Sequence, residues 1–369
     1  MKDMRIQRRE VLLGAAATGL GLATGTVPAW AQASAWPTKP VNLVVPFPAG
    51  GGTDAFARPL AAQFSKATGK TLVIDNRGGA GGTVGASFAS KAAPDGYTLF
   101  MGAVHHAIAP SMYPKLDYDL EKDFIPLFLL ANVPQVVVVN PKNVPVNNFQ
   151  QFMDYVKRNP AKLNYGSAGA GTSHHLAGEL FKQQTGTFIT HIPYRGAGPA
   201  LQDLIGGQVD MMFDGLGSSA SHIKGGRIKA LMVSGPKRNA AFPDVPCAAE
   251  VGLPDYTVTT WYGLWAPKGT PADVQPQIID EMKKVLASDD IKNIWAQNGS
   301  WAPKGTPADV QARIVDEVRK LGSADELKTI WANNGAEYGG MTQQQFAGMV
   351  SSEVKRWAAV VKASGAKLD

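Results

Sequence analysis

The sequence predicts an α/β chain of two lobes closing on a cleft, and three observations predict it. Short apolar runs alternate with stretches of helical spacing from residue 41 onward, the pattern of parallel sheets covered on both faces. Two strand-to-helix junctions, at 46–54 and 163–175, are rich in glycine and hydroxyl side chains. Composition shifts at 133–141 and again where Pro243, Pro246 and Pro254 interrupt the chain, which marks two crossings between lobes and therefore a hinge. The division that follows is 34–131 with 256–369 for lobe I and 132–255 for lobe II.

The N-terminus reads as a cleaved leader over 1–33. Arg8-Arg9 precede an apolar run over 11–23, and Ala29-Trp30-Ala31 and Ala31-Gln32-Ala33 are small-x-small cleavage sites. The run is short and glycine-rich for a membrane span. Twin arginines followed by Glu10-Val11-Leu12-Leu13 point to the twin-arginine export route, with a plain secretory signal as the alternative; both place the mature chain in the periplasm. Cys247 is the only cysteine, so the exported chain holds together without disulfides, and no leader cysteine is present to carry a lipid. The formal charge of +6 includes no cluster of Lys or Arg along a predicted helix, which excludes a nucleic-acid footprint and fits attraction for small anions.

Val41-Asn42-Leu43-Val44-Val45 is a buried strand, Gly50-Gly51-Gly52 a turn, and 55–66 a helix that Thr53 or Asp54 can cap. Unpaired N–H groups and the positive end of the helix dipole then face one point, which suits a carboxylate; an ordinary tight turn is the competing reading. Strands at 71–75 and 97–102 flank a helix at 83–92. The same rhythm continues through 124–131, 135–140, 149–158 and 163–166. The second loop, Gly166-Ser167-Ala168-Gly169-Ala170-Gly171-Thr172-Ser173-His174-His175, repeats the first design ahead of a helix at 176–184, so the two loops can close on one anion from opposite sides. His174 is placed either to donate to that anion or to cap the helix without touching it. Asp214, after a strand at 209–213, either accepts from a ligand or caps the next turn. Arg195, between Tyr194 and Gly196, reads as a structural ion pair in preference to a clamp on a distal carboxylate.

Enzyme motifs are missing. Gly85-Ala86-Ser87-Phe88-Ala89 lacks the second glycine of a nucleophile elbow, the glycine loops lack the lysine of a phosphate-binding loop, and Gly79-Ala80-Gly81-Gly82-Thr83-Val84-Gly85 is spaced wrongly for a dinucleotide. The pairs His105-His106 and His174-His175 point apart along the chain rather than converging on a metal. No catalytic residue, metal or cofactor is expected.

The tail carries a tandem duplication, 265–300 and 301–336. The eleven residues Trp265 to Gln275 recur unchanged 36 positions later. Two copies are too few for a solenoid. Pro276, inside the helix that Thr270 would cap, is replaced by Ala312 in the second copy, which predicts that the second copy fills the core position and the first is a partly exposed insertion.

Taken together, Pro46 to Asp54, Ile74-Asp75-Asn76-Arg77-Gly78-Gly79-Ala80-Gly81-Gly82, Ala93-Pro94-Asp95-Gly96-Tyr97-Thr98-Leu99, Tyr165 to Gly169, Pro193-Tyr194-Arg195-Gly196 and Trp261-Tyr262-Gly263-Leu264-Trp265-Ala266-Pro267 resemble the receptors of tripartite tricarboxylate transporters, the Bug family. The resemblance spans nearly the whole mature chain. It implies a type II periplasmic-binding-protein fold, two α/β lobes joined by a two-crossing hinge, closing on a small organic carboxylate and acting with membrane transporter subunits. It also implies a pincer, partly through ordered waters, around Phe47, Ala49, Gly50, Thr53 and Asp54 on one side and Ser167, Ala168, Gly171, Thr172 and Ser173 on the other. The chain departs from the family at Gly78, where proline is usual, at Thr83, where asparagine is common, and in its extra 36-residue unit. A monomer binding a di- or tricarboxylate or an aromatic acid is the expectation. A sensory receptor and an exported hydrolase are the alternatives.

Overall fold

The computed structural model describes residues 36–288 and 341–366. Strand β1 (Val41–Val45) lies between β2 (Leu72–Asn76) and β3 (Thr98–Ala103), parallel to both. Val41, Leu43, Val44 and Val45 are all buried because helices cover both faces of this sheet, so the strand reads as continuous apolar sequence. Helix α1 (Gly52–Thr68) packs Phe56, Leu60 and Phe64 inward, and Gly69 ends it in a left-handed conformation. A 3₁₀ turn (Ala80–Gly82) and α2 (Thr83–Ser90) precede β3, and α3 (Val104–Met112) follows it.

One strand carries the chain from the first lobe into the second. Strand β4 (Phe124–Val139) is one 16-residue element, where the sequence predicts two short strands. From Phe124 to Pro134 it pairs antiparallel with β9 (Thr259–Pro267), and from Gln135 onward with β7 (Met211–Gly215) and β8 (Lys229–Val233). The change of partner falls at Pro134, whose missing N–H suits a point where the ladder is handed over. In the second lobe β5 (Asn164–Ser167) runs parallel to β7 and to β6 (Thr190–Pro193), with α4 (Phe149–Arg158), α5 (Ser173–Thr185), α6 (Ala197–Gly206) and α7 (Leu216–Lys224) as its helices. The expectation of purely parallel sheets is therefore corrected: β4 and β9 are antiparallel to each other and to every other neighbour.

The duplicated tail is also corrected. Helix α8 (Val274–Leu286) belongs to the first copy, and it buries Ile278, Met282, Val285 and Leu286 against the lobe I core. The expectation of an exposed insertion failed because the helix starts at Val274, three residues later than a Thr270 cap would place it. Pro276 is then its third residue, in the first turn, where an N–H has no intrahelical acceptor to lose. The second copy lies outside the described residues, as does the leader. Helix α9 (Gln343–Ser364) closes the lobe: Phe346 packs on Trp265, and Glu353 accepts from the indole N–H groups of Trp261 and Trp357, both at 3.0 Å. Among the described residues no helix is long and apolar enough to cross a membrane.

Candidate functional site

The start of α1 and the start of α6 meet at the cleft. Neither N-cap, Gly51 or Gly196, supplies a side chain to the first turn, so the leading N–H groups of both helices lack the usual cap. They are close: a Cβ built on Gly51 would lie 3.4 Å from the N of Gly198 and 3.7 Å from the N of Ala197. Two helix N-termini aimed at one point attract negative charge. Phe47, Gly51, Gly52 and Thr53 line the cleft from lobe I, Ala168, His174 and Ala197 from lobe II, and His105 and Tyr262 complete the wall. The free space at the lining is about 10 Å³, on the order of one water, so the two lobes stand close together there. An organic acid enters only when the lobes part.

The predicted side chains divide into those at the cleft and those that brace it. Phe47, Thr53 and Ala168 are buried at the lining. Asp54 does not face a ligand: its carboxylate accepts from the Gly50 N–H at 2.9 Å, from Arg58 Nε at 2.7 Å and from Asn76 Nδ2 at 3.3 Å, which holds the glycine turn in shape. Nor does it or Thr53 cap α1, because the helix starts at Gly52, ahead of both. Gly50 has φ +83° and Ala49 is exposed beside it. In the second loop Ser167 Oγ lies 2.7 Å from His191 Nε2 and accepts from the Gly169 N–H. Thr172 is the N-cap of α5 and donates to the Gly169 carbonyl at 2.7 Å, while Gly171 has φ +74° with Met112 and Tyr113 against it. Ser173 Oγ accepts from Gln135 Nε2 at 3.0 Å. These hydroxyls are engaged by the protein itself, Thr172 within its loop, Ser167 by His191 on β6 and Ser173 by Gln135 on β4, so the N–H groups at the starts of α1 and α6 remain for an anion.

His174 and Asp214 come together. Nδ1 of His174 lies 3.5 Å from Oδ1 of Asp214, both residues are buried, and neither atom has a hydrogen-bond partner. Asp214 sits inside β7 rather than after it, and its Oδ2 accepts from Ser218 Oγ at 2.7 Å and Ser219 Oγ at 2.6 Å. Burial pushes the His174 imidazolium below its ordinary range, opposed by Asp214. Burial, with His174 and His106 adding to it, holds His105 well below the usual range too. Its Nδ1 accepts from the Ser173 N–H at 3.0 Å, so the ring is neutral with its proton on Nε2. The Tyr262 phenol is raised above its usual value by burial and by Asp214, which keeps it a donor. Among the described residues no cluster of three or more His, Cys, Asp or Glu could hold a metal.

Three lining groups escaped the sequence reading. Ala197 belongs to Gly196-Ala197-Gly198-Pro199, which repeats the glycine-then-helix signal of the first loop, but attention there fell on Arg195. Arg195 is exposed, with no ion pair or hydrogen bond to a described residue. His105 was set aside as half of a diverging pair; the pair does diverge, with His106 turned to Ala103 and Gly82. Tyr262 arrives on β9 from the far side of the chain, and no local signal marks it.

Residues 56–301 match the model of the tripartite tricarboxylate transporter family receptor, TctC. The chain belongs to this family. Protein BugT of Bordetella pertussis is 31% identical over 355 residues, covering 96% of this chain and 98% of BugT, which makes the relatives Bug proteins. Two solved structures from Rhodopseudomonas palustris share the two-lobed α/β fold of the type II binding proteins: Rpa4515 with adipate (33% identity, TM-score 0.76, 89% of this chain and 98% of that one) and MatC with bound malate (31%, 0.73, 88% and 100%). Within the receptor family the glycine at 78 has a visible consequence here. The Pro48 ring occupies the space beside Gly78 and Gly196, where added Cβ atoms would come within 2.5 Å and 2.7 Å of its Cδ. The first loop therefore rests on two glycines, one from each lobe.

Proposed function

We propose that this receptor captures a small organic carboxylate in the periplasm and passes it to the membrane subunits of a tripartite transporter. The observation that carries the reading is the meeting of the uncapped α1 and α6 N-termini over Thr53, with the neutral donors His105 and Tyr262 beside them and no Lys or Arg in the lining. Such a site binds one carboxylate through fixed dipoles, without metal or cofactor, and the relatives that hold adipate and malate make a dicarboxylate the first class to try. The pincer comprises the backbone at Phe47, Ala49, Gly50, Thr53 and Ala168, with Gly171 to His174 behind it. Residues 34–131 with 256–369 form one lobe and 132–255 the other. The mature chain acts as a monomer and catalyses nothing; residues 1–33 direct its export.

A thermal-shift screen of carboxylic acids tests this. An acid present at a hundredfold its dissociation constant adds about 2.7 kcal/mol of stability. The free acid should raise melting and its methyl ester should not. Equal shifts from acid and ester would rule out the carboxylate pincer.

A further inference from the structure

Asp214 is an unusual residue for a receptor of anions. A carboxylate buried behind the cleft lining opposes the charge of the ligand, and an oxygen left without a hydrogen-bond donor carries a desolvation cost. His174 lines the cavity and also presents Nδ1 to Asp214 Oδ1.

We propose that anion capture is coupled to the uptake of one proton from solvent by His174, which then bridges the ligand carboxylate and Asp214. This rests on the carboxylate reading above. In the ligand-free receptor the imidazole faces a single carboxylate, and its burial disfavours the charged form. A ligand carboxylate adds a second negative charge on the cavity side, and an opposite charge within about 4–6 Å raises a histidine by a unit or more. Asp214–His174–ligand then alternates in sign, and the unpartnered Oδ1 gains a charged donor.

The surrounding groups leave His174 as the proton's destination. His105 on α3, whose ring centre is 5.6 Å away, would lose its bond from the Ser173 N–H on protonation. Tyr262 on β9 already holds its proton. Asp54 on α1 is paired with Arg58. On α5 itself, His175 Nδ1 accepts from the Gly171 N–H and Glu179 is engaged by Lys182 and Tyr165. His222 on α7 also feels Asp214, but it does not line the cavity.

The test is calorimetric titration of the receptor with malate and with adipate near pH 7 in phosphate and in Tris, buffers of different ionisation heat. The apparent enthalpy should vary with buffer by between about half a proton and one proton taken up per acid bound, and affinity should strengthen by up to about tenfold per pH unit as pH falls from 8 to 6.5. In His174→Gln the acid should still bind, with no buffer dependence and a flat pH profile. Asp214→Asn should show reduced uptake; if that variant does not fold, the wild-type series and His174→Gln decide. Wild-type binding without buffer dependence, or uptake that survives in His174→Gln, overturns proton coupling and leaves carboxylate capture standing. Absence of heat from both acids at every pH overturns both together.

Discussion

The Ser173 N–H donates to Nδ1 of His105 at 3.0 Å, joining the start of α5 to the start of α3 across the cleft. Tyr113 adds a second tie, its hydroxyl donating to the Ala170 carbonyl at 2.9 Å. Both bonds bear on the closed conformation rather than on either lobe alone.

His105→Phe keeps a ring against Phe47 but leaves a buried N–H with no acceptor, at a cost of about 1–3 kcal/mol. Affinity for the carboxylate should fall by roughly tenfold or more, with melting lowered modestly. Calorimetry of a folded His105→Phe receptor that binds as wild type would remove this bond from the closing mechanism.

Gly198 allows the two helix ends to meet. Its missing side chain is where the Ala49 carbonyl passes, and any Cβ there would collide with backbone. Gly198→Ala should shift the population toward an open form, visible as a larger radius of gyration in small-angle scattering with acid present. Gly206→Ala, in the same helix with nothing within 4 Å, is the control and should behave as wild type.

Acid should destabilise the fold before its carboxylates titrate. Burial lowers His106 to about 4, and burial with His175 and Lys182 nearby lowers His191 to about 3, against an unfolded value of about 6.5. Between those values the unfolded chain binds protons that the native state refuses, so stability falls as pH drops below about 6.5, by up to about 1.4 kcal/mol per pH unit for each ring. Urea denaturation from pH 7.5 to 4.5 should reveal this slope. His106→Asn should flatten it, and an unchanged slope in that variant would assign it elsewhere.

Removing residues 266–301 rejoins Trp265 to Ala302 and puts the second copy where α8 stands. Ile314, Val318 and Leu321 then take the places of Ile278, Met282 and Val285, while Gly322 replaces Leu286. Melting should stay cooperative but fall, since Leu286→Gly and Met282→Val together cost about 2–5 kcal/mol. Loss of cooperative melting would mean that one copy cannot replace the other.

Export has its own test. Arg8→Lys with Arg9→Lys should leave uncleaved precursor in the cytoplasm, because the twin-arginine route reads that pair whereas a plain secretory signal needs only positive charge. Normal export of the double variant would identify the plain secretory route.

Local sequence determined the strand and helix rhythm, the first glycine loop and the family, because each depends on apolar period and backbone freedom within a few residues. The family resemblance implied a pincer at Phe47, Thr53 and Ala168, and these residues line the cleft. The polar atoms of Asp54, Ser167 and Thr172 are engaged by protein partners both near in sequence and up to 24 positions away, and the effect of Pro276 depends on where α8 begins. Tertiary structure alone decided the rest: β4 runs through both lobes, Ala197 faces Gly51, and His105, His174, Asp214 and Tyr262 gather from four different elements. Their meeting rests on contacts between residues from 40 to more than 150 positions apart, and only packing can specify it.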